Sequence, residues 1–237
     1  MKQRIWELDV FRGICILGMI VVHFLYDLVE LYGLVDWEYP RAFLFVAEYG
    51  GILFLLISGI CVTLGTRSVK RGVIVFACGM LCTAVTLCMV LLQLVGWDMV
   101  IWFGILHCLG LCMLLWPLVK KLPTIVLALL GVLFVIIGNW LCGITPVEFP
   151  YLIFLGICPS RFSSPDFFPL LPNFGYFLLG AVLGRTLYRK QTSLFSKCNT
   201  SLPIVRFLSA CGRYSLPIYL LHQPILSVVC LLLALIQ

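Results

Sequence analysis

Long, nearly unbroken apolar blocks separated by short polar stretches dominate the chain. Seven of them reach or approach the roughly 20 residues that carry a helix across a bilayer core. They lie at about 10–31, 42–65, 72–95, 99–119, 122–141, 167–188 and 214–236. Segment 151–158 is apolar but too short to cross, and reads as an interfacial or re-entrant piece of a loop. The pattern predicts an all-α fold: a polytopic helical membrane bundle of about seven transmembrane helices, forming one domain over 1–237.

Composition supports that class. The 237 residues are 62% hydrophobic and 11% charged, with a mean hydropathy of +1.13. A soluble chain carries about a quarter charged residues. The first apolar run is too long for a cleavable signal peptide, and no small-residue cleavage site follows it.

Charge then orients the bundle. With the N-terminus in the cytoplasm, all 16 lysines and arginines except Arg41 and Arg161 fall on inner segments or at the inner end of the first helix. These include Lys2, Arg4, Arg67, Lys70, Arg71, Lys120, Lys121, Arg185, Lys197, Arg206 and Arg213. That is the positive-inside distribution, and it puts the C-terminus outside. Asp36, Glu38, Asp98, Glu148 and Asp166 fall on outer loops. The net charge of +6 therefore reads as topology. It does not point to a nucleic-acid partner.

Of the 12 cysteines, most sit inside predicted helices. The pairs Cys78/Cys82 and Cys108/Cys112 have i, i+4 spacing, but they read as small apolar packing residues. No metal site is expected. Cys142 and Cys158 share the long outer loop, where an oxidising compartment would allow a disulfide.

The chemistry concentrates in the first helix, which carries Asp9, Arg12, His23 and Asp27. Ionisable groups within a bilayer are costly and usually functional. All three histidines of the chain, His23, His107 and His222, fall inside predicted spans. At about 1.5 Å per residue they lie roughly 16, 12 and 13 Å from their helix ends, so all three converge on the middle to outer half of the membrane. His23 and Asp27 are spaced i, i+4 and share a face. A carboxylate beside an imidazole orients the ring and favours its charged form, which suits a general base. The other reading is a structural pair facing a polar cavity. Arg12 is either half of a helix-end pair with Asp9 or, with the Arg67–Arg71 loop, part of an inner anion site.

Helix six opens on Pro169-Leu-Leu-Pro172-Asn173, a broken start lining a cavity, with Asn173 as a polar ligand. Helix seven carries Pro217, Pro224 and a His222-Gln pair, and its prolines free backbone carbonyls. Gly59 and Gly65 read as close-packing positions.

These residues carry a resemblance. The run Leu8-Asp9-Val-Phe-Arg12-Gly13 with His23 in the same helix resembles the opening of membrane acyltransferases. Phe54-Leu-Leu-Ile-Ser58-Gly59, Phe103-Gly-Ile-Leu-His107-Cys-Leu-Gly110 and Phe168-Pro-Leu-Leu-Pro172-Asn-Phe-Gly175 are similar to the bacterial branch of the heparan-α-glucosaminide N-acetyltransferase catalytic-domain family. Ser215-Leu-Pro-Ile-Tyr-Leu-Leu-His222-Gln-Pro224 resembles the last helix of the broader type 3 acyltransferases. The resemblance implies acyl transfer across a membrane, from cytoplasmic acetyl-CoA to a sugar or glycan acceptor on the far side. It carries the first-helix Arg and His onto Arg12 and His23. The animal lysosomal members place the active histidine in the loop after the first helix, whereas segment 32–41 here contains none.

On this reading the nucleotide sits at the inner basic rim with Arg12, Asp9, Arg67 and Arg71. His23, set by Asp27, acts as base or acyl carrier, and His107, Asn173 or His222 donates to the oxyanion. The expected setting is a bacterial inner membrane, and a homodimer is compatible with the sequence. Two other classes stay open: a transporter or flippase for a polar lipid or sugar, and a haem protein. The haem reading is disfavoured because each His-bearing helix has one His.

Overall fold

The computed structural model describes residues 5–143, 150–195 and 200–236. Lys2, Arg4, Glu148 and Lys197 lie outside them. The regular structure among the described residues is helical, with no strand. Eight α-helices follow one another: α1 (Trp6–Tyr26), α2 (Arg41–Leu64), α3 (Ser68–Leu91), α4 (Ile105–Val119), α5 (Thr124–Cys142), α6 (Leu170–Leu187), α7 (Pro203–Arg213) and α8 (Ser215–Ala234). A π-helical turn, Asp27–Leu31, continues α1. Among the described residues, six helices are long and apolar enough to cross a membrane, and α4 is a shorter apolar one. Large side chains such as Leu81, Ile136 and Leu221 stand exposed on them, as a lipid-facing surface requires.

Two elements differ from the sequence pattern. The apolar block at 99–119 becomes helical only at Ile105. Asp166 accepts the Ile105 N–H through both carboxylate oxygens, at 3.2 Å each, and an acid there also suits the positive end of the helix dipole. The polar stretch before the last span contains α7, an 11-residue amphipathic helix. Its polar residues hide it from a search for apolar blocks, and Pro at its first turn starts it.

The chain falls into two compact units, Met1–Phe54 with Lys190–Gln237, and Leu55–Arg189. In the first, α1 packs against α7 and α8. The α1–α7 contact is backbone to backbone. A Cβ on Gly13 would lie 2.0 Å from the Leu208 carbonyl oxygen, and one on Gly212 would lie 1.8 Å from that of Asp9. Residue 13 meets 208 and residue 9 meets 212, so the two helices run antiparallel. Glu7, 2% exposed, accepts from the Ser193 hydroxyl and the Leu194 N–H, both at 2.8 Å, and so ties the chain ahead of α7 to the first turn of α1.

In the second unit α3 packs on α4 and α5 on α6. Leu55, Leu127, Phe177 and Leu178 are fully buried. Gly59 lets α2 approach α6, since a Cβ there would lie 2.0 Å from the Phe177 carbonyl oxygen. This is the close packing expected of it. The broken start expected for α6 is also present: Leu171 is extended (φ −103, ψ 125) inside the helix. Arg185 donates to the Leu122 and Lys120 carbonyls, filling acceptors that the end of α4 leaves open.

Candidate functional site: a polar seam between two helices

Within the first unit, polar side chains of α1 and α8 meet in two groups. The first is built on Arg12, whose Nη2 donates to the Ser215 hydroxyl at 3.0 Å. Its guanidinium also lies over the Phe54 ring, 5.9 Å from the centroid, within cation–π range. Nε of Arg12 is buried with no partner among the described residues.

The second group lies about 16 Å further along α1, eleven residues at 1.5 Å each. Here His23 and His222 meet edge to face, with ring centroids 5.0 Å apart. His23 Nδ1 is 2.9 Å from the Met19 carbonyl, and His222 Nδ1 bonds the Tyr219 carbonyl. A carbonyl can only accept, so Nδ1 carries the proton in each ring and Nε2 holds a lone pair in the neutral form. His222 is 8% exposed, and its Nε2 is buried with no partner among the described residues. Depth along the helices set all three histidines at a similar level, and the fold brings these two into contact. Their direct ring contact leaves no room for a haem between them.

Asp27, 1% exposed, closes this group. Gln223 donates through Nε2 to both of its carboxylate oxygens, at 3.1 and 2.8 Å. The Gln223 Oε1 is buried and unpartnered. The His23 ring is therefore oriented by the Met19 carbonyl one turn back rather than by Asp27, which is held by Gln223. Asp27 opens the π-helical turn, a distortion that recurs at functional sites.

Near the N-terminal end of α1 a small cavity of about 150 Å³ is lined by Trp6, Asp9, Thr200, Arg206, Ser209 and Arg213. Asp9 is 8% exposed. Sequence reading placed Arg206 and Arg213 in a loop. Helix α7 instead puts both on the wall of this cavity.

The other expected site residues belong to the second unit. His107, 2% exposed, accepts the Gly104 N–H on Nδ1 at 3.1 Å. Its Nε2 lies 3.2 Å from the Thr83 hydroxyl, whose own hydrogen goes to the Ile101 carbonyl at 2.6 Å. That chain fixes a neutral ring with both nitrogens engaged, between Phe76 and Phe103. Asn173 gives its Nδ2 to the Pro169 carbonyl at 2.7 Å, which closes the broken start of α6. The His107 ring donor and one of the two Asn173 amide hydrogens are thus committed to the fold. Arg67 precedes α3 and Arg71 lies in its first turn, alongside Gly65; both are exposed. Cys142 and Cys158, which an oxidising compartment would allow to pair, are free thiols in this structure.

Ser215 and Gln223 contribute although neither was among the expected site residues. Gln223 was legible beside His222, in the helix with two prolines. Ser215 became meaningful only once Arg12 was seen against it.

Fold and seam together define a multi-pass helical membrane protein in which a buried imidazole, His222, packs against a half-buried one, His23. A family model, heparan-alpha-glucosaminide N-acetyltransferase, catalytic, matches residues 4–224, and the chain belongs to that family. This makes it a member of a transferase family in which acetyl is the group moved. No curated protein and no solved structure matches the chain.

Proposed function

We propose that the protein moves an acetyl group from cytoplasmic acetyl-CoA to a sugar or glycan on the other face of a bacterial inner membrane. The α1–α8 seam is the path. The observation that carries this reading is His222 Nε2, a buried lone pair without a partner, packed against a second imidazole. A buried polar atom left unpaired is costly, which favours a site completed by a ligand.

The positive-inside distribution puts the N-terminal end of α1 in the cytoplasm. There the guanidiniums of Arg206 and Arg213 and the indole of Trp6 receive the nucleotide and its phosphates, and Arg12 holds the next polar part of the donor. The thioester then lies at the His23–His222 level. His222 Nε2 takes the proton from the acceptor amine or hydroxyl as the acceptor attacks the thioester carbon. The C–S bond breaks as the new C–N or C–O bond forms, and the proton leaves with the CoA sulfur. Asp27 stabilises the imidazolium electrostatically, and Gln223 keeps that carboxylate in place.

Calorimetric titration of acetyl-CoA into the purified protein tests the reading. Binding that weakens at least tenfold in Arg12→Ala supports it. Absence of binding to acetyl-CoA and to free CoA returns the seam to a carrier that moves a polar solute without reacting.

A further inference from the structure

One cavity meets this chemistry only at His222. It holds about 440 Å³ and is lined by Tyr214, just before α8, by Ile218, Leu221, His222, Ile225 and Leu226 on α8, and by Ile20 on α1. The α8 positions recur every three or four residues, so they form one stripe about 18 Å long over three turns. Leu221 and Ile225 are each 58% exposed, which opens the groove sideways along its length. Apart from the Tyr214 hydroxyl and His222 Nε2, its side chains offer nothing to hydrogen-bond. A glycan, or the amide-bearing arm of CoA, would leave polar groups unpaired there. A hydrocarbon chain loses nothing.

The reactive atom fixes how such a chain lies. His222 is eight residues, about 12 Å, from Tyr214 and only about 6 Å from the other end of the groove. A tail directed towards Tyr214 puts a polar head beside His222 Nε2, a buried acceptor that lacks a partner among the described residues. We propose that the acceptor is a membrane-anchored amphiphile. Its polar head carries the amine or hydroxyl, and its single hydrocarbon chain slides into this groove from the bilayer. The role of the head rests on the acyl-transfer reading; the groove itself does not.

The test uses the full chain in phosphatidylcholine nanodiscs and dodecyl glucosaminide carrying a diazirine at the chain end. The adduct is expected in segment 214–226 at tenfold or more above any other lipid-facing segment. Unlabelled dodecyl glucosaminide displaces it and methyl glucosaminide does not. Leu221→Trp and Ile225→Trp, which fill the groove, abolish it, while Leu81→Trp on another exposed face leaves it. Uniform labelling of all lipid-facing helices overturns the proposal, as does labelling that survives both groove-filling variants. With acetyl-CoA present, the KM for the dodecyl acceptor is expected at least tenfold below that for the methyl one. Acetylation of both with equal KM, together with uniform labelling, removes the groove and keeps the transferase. Labelling confined to the groove with neither acceptor acetylated keeps the groove and removes the transferase.

Discussion

His23 and His222 meet edge to face at 5.0 Å between ring centroids, each with Nδ1 tied to a carbonyl of its own helix. The two Nε2 lone pairs are thus the free ends of one unit. Residues that act as a unit are non-additive. Alanine at either position is expected to lower the transfer rate by about 10²–10⁴-fold, and the double variant to be little worse than the poorer single one. A double-variant loss equal to the product of the two singles would separate the roles.

The α1–α7 crossing depends on two glycines. Any side chain at Gly13 drives Cβ to 2.0 Å from the Leu208 carbonyl oxygen, whereas at Gly18 the nearest atom is a flexible Val46 methyl at 3.6 Å. Gly13→Ala is expected to cost about 1–3 kcal/mol, the range for overpacking, and Gly18→Ala to be close to neutral. Thermal unfolding in detergent compares them. Equal midpoints would show that α7 is not anchored here.

His107 is expected to serve the fold. His107→Ala leaves the Gly104 N–H without its acceptor, a loss of about 1–3 kcal/mol for a buried group left unpaired. Its unfolding midpoint should fall while transfer per folded molecule is kept. Full stability with abolished transfer would return His107 to the chemistry.

The loop thiol of Cys158 tests the local environment by pH. Burial pushes its pKa above the ordinary 9.0, and nearby Cys142 adds to this. Only the thiolate alkylates, so its reaction with iodoacetamide should keep rising about tenfold per pH unit beyond pH 9, where an exposed thiol levels off. A plateau below pH 9 would contradict that burial.

Much of this was legible in the sequence, for identifiable reasons. Apolar block length reports directly on transmembrane helices, so six spans and the broken start of α6 could be read in advance. Ionisable residues in apolar surroundings flagged Arg12, His23, Asp27 and His222 before any contact was known. Helix α7 was not legible, because its amphipathic 11 residues lack the block signature. The roles of the histidines were not legible either. Depth along a helix brought His107 level with the other two, but only the fold shows it spent on Gly104 and Thr83 while His222 keeps a free nitrogen. Spacing placed Asp27 on the His23 face, but the i−4 carbonyl of Met19 takes the ring proton and leaves Asp27 to Gln223.

The central claim is transfer across the membrane through the α1–α8 seam. The most direct measurement uses proteoliposomes with labelled acetyl-CoA on the side of the α1 N-terminus and glucosamine on the other. The account predicts that acetylated sugar accumulates on the sugar's side, and that His222→Ala lowers its rate at least about 100-fold. Product formed only on the donor's side, or a His222→Ala rate equal to wild type, would contradict it.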